Sequence, residues 1–63
     1  MNLKELHRAT LALILGAYEL GIDDAASVSM QARVEADRAG KSREEGYHEA
    51  IAKLSALILD RTA

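Results

Sequence analysis

Hydrophobic positions recur at helical spacing in three parts of the chain, and Gly21 and Gly40 separate these parts from one another. From residue 3 to residue 20, apolar residues fall three and four positions apart, which is the spacing of an amphipathic helix. Weaker patterns of the same kind lie over residues 25–39 and 47–58. Alanine and leucine dominate, and Pro, Phe and Trp are absent, so the composition favours helices over strands. We therefore predict an all-α fold, a single small helical domain over residues 1–63 with two or three helices.

The first helix is predicted over residues 2–20. Asn2 is a suitable N-cap, and Glu5 follows it at the spacing of a capping box. Gly21 is suited to the left-handed conformation that ends many helices. Both ends of this helix are therefore signalled by residue type.

The second helix, over residues 25–39, has the weakest pattern. Asp23 or Asp24 is a candidate N-cap, and Gly40 would end the helix. Its alanines share one face while Met30 and Val34 point the other way, so we expect it to bury little surface on either side. The sequence leaves open whether this segment is separate or continues across Gly40 into the third helix, giving a helical hairpin.

The third helix is predicted over residues 43–61. Ser42 and Glu45 match the S-x-x-E capping box. Gly46 costs a helix about 1 kcal/mol relative to alanine, so the first turn is expected to fray or the helix to begin nearer Tyr47.

The first helix carries more apolar surface than one packing partner covers. One stripe is expected to face the third helix and consists of Leu3, Leu6, Thr10, Leu13, Ile14 and Ala17. A second stripe, roughly 80° around the helix, consists of Leu11, Leu15, Tyr18 and Ile22. Alanines of the second helix are too short to cover it, so we predict that these four residues mediate self-association into a homodimeric helical bundle. The alternative is a three-helix monomer with the first helix at its centre.

The length of the chain also favours self-association. A domain of 63 residues buries only about 60% of the surface of its unfolded chain and usually needs reinforcement. Without cysteine, disulfides are excluded and oligomerisation remains. The lack of cysteine also fits a cytoplasmic location.

No membrane span or leader segment is expected. The apolar run over residues 9–18 is shorter than the roughly 20 residues of a spanning helix. Lys4 and Arg8 precede it as in a signal peptide, but Glu5 interrupts the basic region and no clear cleavage site follows.

No residue pattern predicts catalysis, a metal site or a cofactor. His7 and His48 belong to no ligand motif, and the spacing of Glu44 and His48 is that of an ordinary pair on a helix surface. Neither a Gly-rich phosphate loop nor a placed nucleophile and base is present. We therefore expect a non-enzyme that regulates or inhibits an unidentified protein. The residues expected to contact that partner are Met30, Gln31, Val34 and Arg38.

A nucleic-acid-binding regulator is the alternative function. Residues 17–23, AYELGID, resemble the turn of a helix-turn-helix, and residues 24–38 would then supply the recognition helix. Ser27 departs from this pattern, since an aliphatic residue is expected there. The candidate contacts are Gln31, Arg33, Arg38, Lys41 and Arg43. The net charge of −2 gives no general attraction for nucleic acid.

Overall fold

A computed structural model describes all 63 residues and shows three helices and no strands. Helix α1 spans Leu3–Glu19, α2 spans Ala25–Arg38 and α3 spans Arg43–Thr62. The all-α prediction is confirmed. The two-helix alternative is wrong, because the chain turns at Gly40 and leaves α2 and α3 as separate helices.

Side-chain caps begin α1 and α3 but not α2. The Glu5 amide donates to Asn2 Oδ1 at 2.9 Å, and the Glu45 amide donates to Ser42 Oγ at 3.2 Å. The Ser42 hydroxyl also donates to the Glu45 carboxylate at 3.3 Å, in place of the bond from the Ser42 amide to that carboxylate that a full capping box has. Asp24 stands at the N-cap of α2 without a side-chain cap bond, so the expectation of a capping aspartate is wrong there.

The first two helices end in the same way. Gly21 and Gly40 have φ angles of 84° and 78°, a conformation that only glycine adopts at little cost. The Ile22 amide donates to the Ala17 carbonyl at 2.9 Å, and the Lys41 amide donates to the Ala36 carbonyl at 3.0 Å. These bonds belong to Schellman motifs, which satisfy carbonyls at helix ends and turn the following residue back onto the helix.

The helices form an up-down-up bundle. His7 meets Tyr47 near the start of α1 and α3, and Arg61 donates to the Gly21 carbonyl at 3.1 Å near their other end. Helices α1 and α3 are therefore parallel. Gly46, early in α3, lies against Ala36, late in α2, so α2 runs antiparallel to α3.

Small residues make the contact between α2 and α3. The buried face of α2 consists of Ala25, Ser29, Ala32 and Ala36. Each is 2% exposed or less, and α2 packs mainly against α3. The expectation that α2 buries little is therefore wrong, since short side chains let the two backbones approach closely.

Gly46 belongs to this contact. A Cβ atom placed on Gly46 would lie 3.5 Å from Cβ of Ala36 and 3.7 Å from Cα of Arg33. Helix α3 already begins at Arg43, so the expectation of a start nearer Tyr47 is wrong. Gly46 lies inside the helix and against α2.

Larger side chains fill the centre of the bundle. Leu54 of α3 packs with Ala17, Ile22 and Ala25 in one buried cluster, and Leu6 is also fully enclosed. None of the three helices combines the length and the apolar content required to cross a bilayer.

Candidate interaction surfaces

The first candidate surface is an apolar stripe on α1. Leu11 is 51% exposed, Leu15 60% and Tyr18 66%. Their spacing of four and then three residues places them on one side of the helix. We call these three residues the α1 surface.

Ile22, the fourth residue predicted for this stripe, lies elsewhere. Its side chain is in the core cluster with Ala17 and Leu54. The prediction extended the helical spacing of α1 beyond Gly21, whereas the Schellman turn there directs Ile22 inward. Ile22 is therefore not part of the α1 surface.

Charges of opposite sign flank the α1 surface. Lys4 and Arg8 lie toward the N-terminus of α1, and Glu19 lies at its C-terminal end. All three side chains are exposed, and the two ion pairs of the chain, Lys41–Glu49 and Lys53–Glu35, involve none of them. These charges are free to pair with another chain.

The second candidate surface is the outward side of α2. It contains all four residues predicted to bind a protein partner, Met30, Gln31, Val34 and Arg38. Met30 is 60% exposed and Val34 41%, on the side opposite the buried alanines. We call these four residues the α2 surface.

A cleft adjoins the α2 surface at the end of the bundle where α3 begins. It has a volume of about 490 Å³, within the range of ligand-binding clefts. Its walls include the side chains of Met30, Arg33, Val34, Lys41, Arg43 and Tyr47. We call it the α2–α3 cleft.

Tyr47 connects the three helices beside this cleft. Arg33 Nη1 donates to its hydroxyl at 3.3 Å, and the guanidinium carbon lies 5.1 Å from the ring centroid, a cation–π contact. The hydroxyl is also 3.1 Å from His7 Nδ1, and the rings of Tyr47 and His7 meet edge to face. Sequence reasoning missed this cluster because its members lie on three helices and share no spacing.

The residues considered for nucleic-acid binding do not form one free basic group. Arg33 is packed on Tyr47, and Lys41 is paired with Glu49. The hydrogen bond from Lys41 to Glu49 and the charge of that carboxylate raise the Lys41 pKa above its ordinary value. Gln31, Arg38 and Arg43 remain exposed on α2 and at the start of α3.

The remaining candidates for chemistry are dispersed. The structure brings no three His, Asp or Glu side chains together as a metal-binding group. Ser27, the departure from the helix-turn-helix pattern, is exposed, and the neighbouring Val28 is half-buried. Comparison of the chain with protein-family models, with curated proteins and with solved structures found no match.

Proposed function

We propose that the protein is a small, non-catalytic helical module that pairs with a second copy through the α1 surface. It regulates or inhibits another protein through the α2 surface. The observation that carries the proposal is the exposure of Leu11, Leu15 and Tyr18 as a continuous stripe. An apolar stripe of this kind, bordered by charges, is typical of interaction surfaces.

The flanking charges favour an antiparallel pair. A two-fold axis near Leu15 would bring Leu11 of each copy against Tyr18 of the other. The basic end of one helix, with Arg8, would then approach the acidic end of its partner, with Glu19. A parallel pair would place like charges together, which is unfavourable.

The apolar area supports a dimer of moderate affinity. Burying the exposed parts of three large side chains on each copy stabilises the pair by about 5 to 10 kcal/mol. Association costs about 4 to 15 kcal/mol. Since the two ranges overlap, we expect a dimer that forms with increasing concentration.

The test is the molar mass of the Leu15→Glu variant, measured by light scattering after size exclusion over a range of concentrations. The wild-type mass should rise toward that of two chains, and the variant should keep the mass of one, because Glu would bring a charge into the apolar contact.

The matched control is Leu59→Glu, the same substitution at an α3 leucine that is 68% exposed and outside the α1 surface. It should behave as wild type, and circular dichroism should show that both variants remain helical. A wild-type mass of one chain at every concentration, or an unchanged dimer in Leu15→Glu, would refute the assignment.

A further inference from the structure

The α2–α3 cleft is positively charged in a chain that carries an overall charge of −2. Arg33, Lys41 and Arg43 line it, against a single acidic residue, Asp37. Of the three cations only Lys41 is in an ion pair, with Glu49. Arg33 and Arg43 therefore have no carboxylate partner within the chain.

Arg33 is held in place without a bound ligand. Its side chain packs beside Gly46, and Tyr47 fixes its guanidinium through one hydrogen bond and the ring contact. Nε is enclosed without a partner, and the remaining N–H groups of Nη1 and Nη2 make no hydrogen bond within the chain. A preorganised guanidinium loses little conformational freedom on binding a carboxylate, which favours affinity.

The apolar residues that line the α2–α3 cleft favour anions that also carry apolar groups. Met30 and Val34 line the same cleft, and they are 60% and 41% exposed. A ligand that covers them needs apolar groups beside its charges. Arg33 already covers one face of the Tyr47 ring and His7 meets it edge to face, which reduces the room for stacking bases. A peptide meets these conditions better than a nucleic acid does.

We infer that the α2–α3 cleft binds an acidic peptide segment of a partner protein. Carboxylates of the segment pair with Arg33 and Arg43, and a large aliphatic side chain covers Met30 and Val34. This inference rests on the proposed function, since it names the class of partner that the α2 surface and its adjoining cleft recognise.

The probe is the fluorescein-labelled peptide Asp-Glu-Leu-Glu-Glu-Leu, with binding followed by fluorescence anisotropy. We expect a Kd of about 10 to 100 µM at low salt, weakening as salt is added. The same peptide with Gln and Asn in place of its acids should bind at least about tenfold more weakly. Equal binding of the two peptides, or no binding of the acidic one, would overturn the inference.

Two variants test the two walls of the cleft. Arg43→Gln should weaken binding about fivefold by removing an exposed charge partner, and Met30→Gln should weaken it by a similar factor. The matched control is Lys53→Gln, which removes an exposed cation of α3 that lies outside both the cleft and the α1 surface and should leave the Kd unchanged. If Lys53→Gln has the same effect as Arg43→Gln, the attraction is general and the cleft is not the site.

A labelled DNA duplex and a labelled single-stranded RNA test the alternative that the cleft binds nucleic acid. If either binds more tightly than the acidic peptide and loses affinity in Arg43→Gln, the cleft serves nucleic acid and the inference fails. The Leu15→Glu variant separates this result from self-association, because the cleft lies outside the α1 surface. Peptide binding by a single-chain Leu15→Glu variant supports the cleft independently. A wild-type protein that dimerises but does not bind the peptide refutes the cleft alone.

Discussion

The α2–α3 contact and the α1 surface reverse the usual relation between side-chain size and burial. Where α2 meets α3, the buried residues are alanine, serine and glycine, with Leu54 as the one large exception. On the α1 surface, Leu11, Leu15 and Tyr18 remain in water. The difference shows that closeness of backbones, as well as the size of side chains, decides which surface a small bundle buries.

Truncation of a buried leucine gives the largest expected effect. Leu54→Ala should lower the free energy of unfolding by about 2 to 5 kcal/mol, because Leu54 is fully enclosed and its removal leaves a cavity. Leu15→Ala should change it by about 0.5 kcal/mol or less when measured on dilute, single-chain protein. Urea denaturation followed by circular dichroism gives both values. Equal losses would mean that Leu15 is also part of the core.

Two substitutions that enlarge a side chain in the α2–α3 contact should change the free energy of unfolding by intermediate amounts, one lowering it and the other raising it. Ala36→Leu should destabilise the protein by about 1 to 3 kcal/mol, since the facing backbone leaves no room for a larger side chain. Gly46→Ala should stabilise it by up to about 1 kcal/mol, because the new Cβ would lie at an ordinary contact distance and alanine favours the helix. Thermal denaturation of the two variants measures the difference. If Gly46→Ala proves clearly destabilising, the helices are closer than the structure shows.

The ion pair at the edge of this contact should have the smallest effect. The Lys41 pKa is raised by Glu49, so this pair stabilises the folded state below the ordinary lysine pKa and ceases to do so as pH rises through the raised value. Glu49→Gln should return the Lys41 pKa toward its ordinary value. An NMR titration of the lysine side chains measures this, with Lys4 as an exposed reference outside any ion pair. An unchanged Lys41 pKa in Glu49→Gln would show that another group causes the shift.

Local features of the fold were predictable because they depend on neighbouring residues. Asn2, Ser42 and the two helix-ending glycines act through hydrogen bonds and backbone conformation within a few residues. The place of Gly46 in the α2–α3 contact was not predictable, since only the approach of α2 reveals it. The contact leaves room for a Cβ atom, so the predicted cost of a glycine in the helix still applies.

The candidate surfaces were predictable to a similar extent. Helical spacing was sufficient to place Leu11, Leu15 and Tyr18 on one stripe, and to place Met30 and Val34 away from the alanines. It failed for Ile22, where the helix had already ended. The contact of Arg33 with Tyr47 depends on the way that separate helices pack, and no pattern along the chain encodes it.

The parallel arrangement of α1 and α3 has a consequence for the order of folding. Helices α2 and α3 are joined by a short turn, so their contact closes a small loop and can form early. The contacts of His7 with Tyr47 and of Gly21 with Arg61 each join positions 40 residues apart. Docking of α1 therefore forms the contacts between the most distant parts of the sequence, and we expect it to be the slower step. Until α1 docks, the side of Leu54 that Ala17 covers in the folded protein stays open to solvent.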